Sequence, residues 1–195
     1  MNILTDHCPD EVTVDGRSYK IVTDWKDWVR FYCMLDDPDL RDRDREYIAM
    51  QYFTESEPTD SDEAMKALIK FASGEDMPQA GKSNKQAVTK KAACFSWLYD
   101  GAFVLSAFRQ YYGIDLRTEK MHWYIFLSLF QGIPDDSPLK KRMQLRTTNG
   151  SSIKDREHRQ NIIKAQNAVA LPQKELGEKD ICENIFDAFF SDGGD

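Results

Sequence analysis

The tripeptide Gly81-Lys82-Ser83 matches the end of a phosphate-binding loop, in which glycines let backbone N–H groups curl around phosphate oxygens. That loop needs a second glycine five positions before Gly81, where this chain has Asp76, a carboxylate that repels phosphate. The segment also follows a helical pattern, whereas a phosphate-binding loop follows a buried strand, so it reads as a solvated loop. The acid run Asp36, Asp37, Asp39, Asp42 and Asp44 raises the question of calcium. An EF-hand loop starting at Asp37 requires glycine where Asp42 stands and a bidentate glutamate where Ile48 stands. The run therefore reads as the charged, solvated start of a helix.

His7, His122 and His158 are the only histidines, and none has a second His, Cys or carboxylate at the spacing of a recognised metal motif. His122 lies in an aromatic segment beside Trp123 and is expected to be packed or hydrogen-bonded. His7 and Cys8 are adjacent in sequence, but nucleophile–base pairs are made in space. No G-x-S-x-G, H-E-x-x-H or dinucleotide-binding signature occurs. The expectation is a non-enzyme with no catalytic, cofactor or metal residues.

Two charged features remain. Lys140-Lys141-Arg142, Arg146, Lys154, Arg156, Arg159 and Lys164 make a basic stretch, but no aromatic residues lie between them as platforms for base stacking. They read as a solvated face or a docking face for an acidic partner. From Pro172 to Asp195 there are seven acids against two lysines. Within that acidic tail Ile181, Ile185, Phe186, Phe189 and Phe190 line one side of a short amphipathic helix, a pattern that suits a hydrophobic groove on this chain or on another. These five are the candidate partner-binding residues; packing on the chain's own domain is the plainer alternative.

The elements that carry these residues follow from periodicity and punctuation. Val12-Thr13-Val14 and Tyr19 to Val22 flank Asp15-Gly16, which predicts a hairpin within 11–23. A lone hairpin is unstable in water, so it must pack on helices or pair with another chain. Asp24 caps a helix whose apolar face is Trp25, Trp28, Val29, Tyr32 and Leu35, and which stops before Pro38. A second helix is expected over 40–53, and a third from Asp60 with Met65, Leu68, Ile69 and Ala72 on one face. Residues 74–91 are polar and read as a mobile loop. The segments around Phe103–Tyr112 and Trp123–Phe130 are apolar nearly all round, the pattern of helices buried at the centre of a domain or in an assembly. Gly113 suits a left-handed cap for the first. Weaker helices are expected over 138–146 and 155–171. The fold class is mainly α: a helical domain over 1–172 with an N-terminal β-hairpin, then the acidic tail 173–195.

Composition bounds the function classes. The chain has 195 residues, 41% hydrophobic and 30% charged, as in an ordinary globular protein. Its net charge of −7 argues against nucleic acid as a partner. Cys8, Cys33, Cys94 and Cys182 form no CxxC pair and read as free thiols in a reducing cytosol. The N-terminus has no signal-peptide pattern, and the apolar stretch 121–130 is too short to span a bilayer.

The order of segments resembles a known family. Met1-Asn2-Ile3-Leu4-Thr5-Asp6 leads to a Val-Asp-Gly hairpin and a Thr-Asp-Trp start to a tryptophan-rich helix. Tyr99-Asp100 follows, then Phe108-Arg109-Gln110-Tyr111-Tyr112-Gly113-Ile114-Asp115-Leu116, then His122-Trp123 with Phe126 and Leu129-Phe130. Ile153-Lys154-Asp155 opens the basic helix that ends at Ala170-Leu171-Pro172. Over about residues 1–172 this resembles the phage "gp fifteen" family of long-tailed phages and prophages of Gram-positive bacteria. The resemblance implies a tail assembly chaperone that binds the tape measure protein in the host cytoplasm, gives way to the tail tube protein, and is absent from the mature virion. It brings no catalytic residues, and it leaves the acidic tail unexplained. Self-association into a homo-oligomer, through the hairpin edge or an aromatic helix face, is expected. A structural component of the mature tail or connector, and a nucleic-acid-binding regulator, are the alternatives.

Overall fold

A computed structural model describes residues 2–77, 94–150 and 155–172. Among these the chain forms one two-stranded hairpin and seven α-helices, the mainly α class with an N-terminal hairpin expected from periodicity. The chain divides into two compact units. One comprises Met1–Ser83 and Glu119–Gln131; the other comprises Asn84–Thr118 and Gly132–Asp195.

The first unit begins with β1 (Glu11–Val14) and β2 (Arg17–Lys20), paired antiparallel with Val14 opposite Arg17. Asp15 and Gly16 form the turn with φ of 49° and 74°, the left-handed geometry that Asp-Gly tolerates. Val12 and Val14 face inward, and β1 packs on α3 (Ser61–Ala72), which supplies the support that the hairpin needs.

Helix α1 (Trp25–Asp36) starts where the Asp24 carboxylate accepts the Lys26 N–H, at 2.9 Å. Its buried stripe is Trp28, Phe31, Tyr32 and Met34, rotated from the expected face. Val29 and Leu35 are only half-buried, and Phe31 takes the central place. Helix α2 (Asp42–Met50) is shorter than the expected span of 40–53. After Met50 the backbone leaves the helix, because Phe53 bridges Ile21 and the Val22 N–H donates to the Tyr52 carbonyl. This short extended pairing buries the Tyr52 and Phe53 rings against the hairpin end, where another helical turn would carry them away. In α3 the Asp60 carboxylate caps the Glu63 N–H, and Ala64, Leu68, Phe71 and Ala72 are buried; the expected Met65 and Ile69 sit at the margin.

Helix α5 (Trp123–Gln131) completes this unit. Trp123, Tyr124, Phe126, Leu127 and Phe130 are buried, Leu129 is half-buried, and Ile125 alone among the apolar residues of the helix is exposed, so the apolar pattern does mark a central helix here. Phe71 stacks on Tyr124 at 4.7 Å between ring centroids, and Trp25 on Phe126 at 4.8 Å. The Trp28 and Trp123 indole N–H groups donate to the Val22 and Ala72 carbonyls, so these large rings are buried with their polar atoms satisfied. Each such ring contributes on the order of 2–3 kcal/mol by burial.

The second unit is built on α4 (Trp97–Ala107), which widens into a π-helical turn at Phe108–Tyr112 and ends at Gly113 with φ 69°. Gly113 is thus the left-handed cap. The expectation that the Phe103–Tyr112 segment is buried all round is not met: Val104, Ala107 and Phe108 face inward, while Phe103, Leu105, Tyr111 and Tyr112 are half-buried and Ser106, Arg109 and Gln110 are exposed. Toward the start of α4, Trp97 and Asp100 face inward, while Leu98 and Tyr99 point to solvent. Helix α6 (Pro138–Thr147) is capped by Ser137, and α7 (Arg156–Val169) by Asp155, whose carboxylate accepts the His158 N–H. Helix α6 packs on both α4 and α7.

Candidate functional site

The basic stretch separates into two groups with different roles. Arg146 is buried, and its Nη2 donates to Asp100 Oδ1 at 2.8 Å while Nη1 donates to Oδ2. Nη1 also donates to the Cys94 carbonyl at 2.8 Å, and Nε to the Val169 carbonyl at 2.7 Å. One guanidinium therefore joins the segment entering α4, a carboxylate on α4 and the last carbonyls of α7. Its planar fork of donors suits that task, and a lysine could not replace it. Arg142 lies over the Phe103 ring at 4.2 Å, with its Nε 3.5 Å from Asp100 Oδ1. These two arginines are not a solvated face. A buried carboxylate in an apolar helix must find a cation, and α6 provides it. Lys140 is also buried, and desolvation pulls its pKa below the usual lysine value. Lys141, Arg156 and Lys164 remain exposed, whereas Lys154 lies outside the described residues.

Asp100 is the residue that sequence reasoning missed as a structural centre. Its signal was present: a lone acid on the inward side of the run Trp97 to Phe108. It also accepts the Ser96 N–H through Oδ2 at 3.1 Å, closing the start of α4 while the Ser96 hydroxyl accepts the Tyr99 N–H.

With its inner face held in this way, α4 turns a defined face outward. Leu98, Ala102, Leu105 and Arg109 recur at helical spacing along it. Leu98 is 74% exposed and Tyr99, beside it, 54%. The same face borders a shallow groove of about 460 Å³ lined by Ala102, Leu105, Ser106, Arg109, Asp115 and Arg117. Asp115 Oδ2 accepts from Arg109 at 2.9 Å and from Arg117 at 3.0 Å. The Arg117 side chain and backbone N–H hold the Asp115 carboxyl down to about 2, with Arg109 adding to this. The Gly113-Ile114-Asp115-Leu116 segment thus ends the π-helical turn, places the shared carboxylate and buries Leu116.

In the other unit, His122 is hydrogen-bonded at both ring nitrogens. Nε2 lies 2.9 Å from the Pro9 carbonyl, and Nδ1 accepts the Tyr124 N–H at 3.0 Å at the start of α5. These partners assign the neutral tautomer with the proton on Nε2. Burial lowers the His122 pKa, with the Pro9 carbonyl and Asp10 opposing. The residue is a structural cap with no free nitrogen to act as a base.

The acid run is likewise accounted for. Asp44 pairs with Arg41 at 2.8 Å and Asp42 with Arg45 at 3.0 Å, while Asp37 accepts the Asp39 N–H. Among the described residues no group of three or more His, Cys, Asp or Glu side chains converges on a metal position, and no helix is long and apolar enough to cross a membrane. Gly81-Lys82-Ser83 and the five tail residues Ile181, Ile185, Phe186, Phe189 and Phe190 lie outside the described residues.

Neither the curated proteins nor the solved structures contain a match to this chain. The family described as Bacteriophage Gp15 protein matches residues 4–171, which takes in all the elements above and stops where α7 gives way to the acidic tail. This is a bacteriophage protein, and the chain belongs to the Gp15 family.

Proposed function

We propose that this protein is a non-catalytic tail assembly chaperone that binds the tape measure protein in the host cytoplasm and is absent from the finished virion. The observation that carries the reading is the outward face of α4, where a folded unit keeps Leu98 and Tyr99 in solvent on a helix clamped from behind by Asp100 and Arg146. Rigid, exposed apolar side chains supply attraction to a long apolar chain at little conformational cost. They also remain weak enough, singly, for polymerising tail tube protein to displace them. A net charge of −7 keeps a protein with such a surface soluble. Family membership supports a role in phage biology, and the tape measure is the phage chain whose length and apolar character call for a holder.

Self-association belongs to the same reading, since repeated weak contacts along an extended partner need several copies. The test is mass spectrometry of purified virions together with affinity purification from infected cells. A chaperone is recovered with the tape measure from cells and is missing from virions. Stoichiometric presence in virions identifies a structural tail component and overturns the proposal.

A further inference from the structure

Among the described residues, α7 is the only α-helix without a buried side chain. One side of it faces α6: Ile162, Gln166 and Val169 are half-buried, and Gln166 donates to the Leu145 and Thr148 carbonyls at 3.0 and 2.7 Å. The other side is open. Arg156, Gln160, Ile163 and Asn167 recur there at helical spacing with Lys164 at the flank, and all five are exposed. Ile163 is 44% exposed. Arg156 and Lys164 form no ion pair among the described residues, and three basic residues against the single acid Glu157 leave the helix positive. The first unit of the chain has the opposite balance, with 20 acids against 11 lysines and arginines, whereas the second has 13 against 15. Residues 55–63, which lead into α3, hold Glu55, Glu57, Asp60, Asp62 and Glu63 and no base. Of these, Glu57 and Asp62 are exposed and form no ion pair among the described residues.

We infer that the open side of α7 docks on the acidic first unit of a second copy of this chain, with Arg156 and Lys164 toward Glu57 and Asp62 and Ile163 covered in the contact. Charge complementarity selects that occupant. Nucleic acid would bring phosphates to a chain whose net charge is −7. A second copy brings the acids itself, one acidic unit for each α7. The two surfaces in contact are different, so the contact is heterologous: each copy keeps a free α7 at one end and a free acidic surface at the other, and the assembly grows until it closes as a ring. Exposed charges make such a contact selective but individually weak, and salt screens it. The inference rests on the self-association within the reading above and gives it a surface, one that is separate from the outer face of α4.

Sedimentation velocity of the full chain over a concentration series tests this. The parent should associate at about 0.02 M salt and do so at least about tenfold more weakly at about 0.5 M, a readout that needs no substitution. Two variants then reverse the charges, Arg156→Glu with Lys164→Glu on α7, and Glu57→Lys with Asp62→Lys before α3. Each alone should associate at least about tenfold more weakly than the parent at low salt. Mixed in equal amounts, they should associate as the parent does, because the acidic α7 of one variant meets the basic surface of the other and the two unaltered surfaces also match. Restored association shows in addition that both variants fold. Association that ignores salt, persists in the α7 variant or fails to return on mixing overturns the inference. Such a result moves self-association to another face and leaves the chaperone reading standing, whereas a parent chain that stays monomeric at low salt removes this contact and the self-association together. The tape measure is absent from the assay, so recovery of that protein from infected cells is read independently.

Discussion

The Arg146 guanidinium on α6 grips both carboxylate oxygens of Asp100 on α4, with the carboxylate wholly inside the protein. Removing one charge strands the other, which is the costly way to break such a pair. Arg146→Met is expected to destabilise the unit containing α4 by about 3–5 kcal/mol. Asp100→Leu combined with Arg146→Met is expected to cost less than Arg146→Met alone, because the fully buried carboxylate goes with its main partner and the only charge left without it is Arg142, which is partly exposed. Urea unfolding of the three proteins measures this. A loss under about 0.5 kcal/mol for Arg146→Met, the range of ordinary surface changes, would contradict the assignment.

Gly101 and Gly113 sit on the same helix, and an added Cβ meets nothing within 4 Å at either. Their backbones differ: Gly101 is helical, and Gly113 has φ 69°. Gly101→Ala is therefore expected to stabilise by roughly 0.5–1 kcal/mol, and Gly113→Ala to destabilise by about 1 kcal/mol. The opposite signs, read as shifts in the thermal midpoint, separate conformational cost from packing.

His122 caps α5 only while Nδ1 is free of a proton, and protonation also sets a positive charge at a helix N-terminus. Its pKa in the folded protein is lowered by burial, so the unfolded chain takes up the proton first. The His122 contribution to stability is complete above the ordinary histidine pKa near 6.5 and is lost as pH falls below it toward the lowered folded value. His122→Asn keeps an acceptor for the Tyr124 N–H and cannot titrate. Its stability at neutral pH should fall through loss of the Pro9 bond, while its decline between about pH 6.5 and 5 should be shallower than that of the parent protein. Parallel pH profiles would show that His122 does not carry this dependence.

Local signals made much of the fold legible. Asp15-Gly16, Asp24, Asp60 and Gly113 are punctuation whose effect lies within a few residues, and each does what its chemistry requires. Partner choice across the chain was not local. The end of α2 depends on Phe53 meeting Ile21, a pairing that no helical pattern in 40–53 encodes. The arginines of α6 read as surface charge because their partner, Asp100, is 46 residues away from Arg146. Outward exposure of Leu98 and Tyr99 was equally hidden, since an all-apolar helix does not show which side the rest of its unit will cover. The tail residues Ile181 to Phe190 were chosen on amphipathic pattern alone and lie beyond the described structure.

The claim that most needs testing is that the outer face of α4 holds the tape measure protein. Leu98→Asp with Tyr99→Asp places two acids in the first turn of a helix, where they suit its dipole, so the fold should be retained and the apolar face lost. Co-expression of the tape measure with the parent chain or with this variant, followed by comparison of the soluble, co-purified tape measure, is the direct measurement. The account predicts soluble complex with the parent and a loss of about tenfold or more with the variant, equivalent to about 1.4 kcal/mol in binding. Equal recovery with both, or a tape measure that stays insoluble with the parent chain, would contradict it.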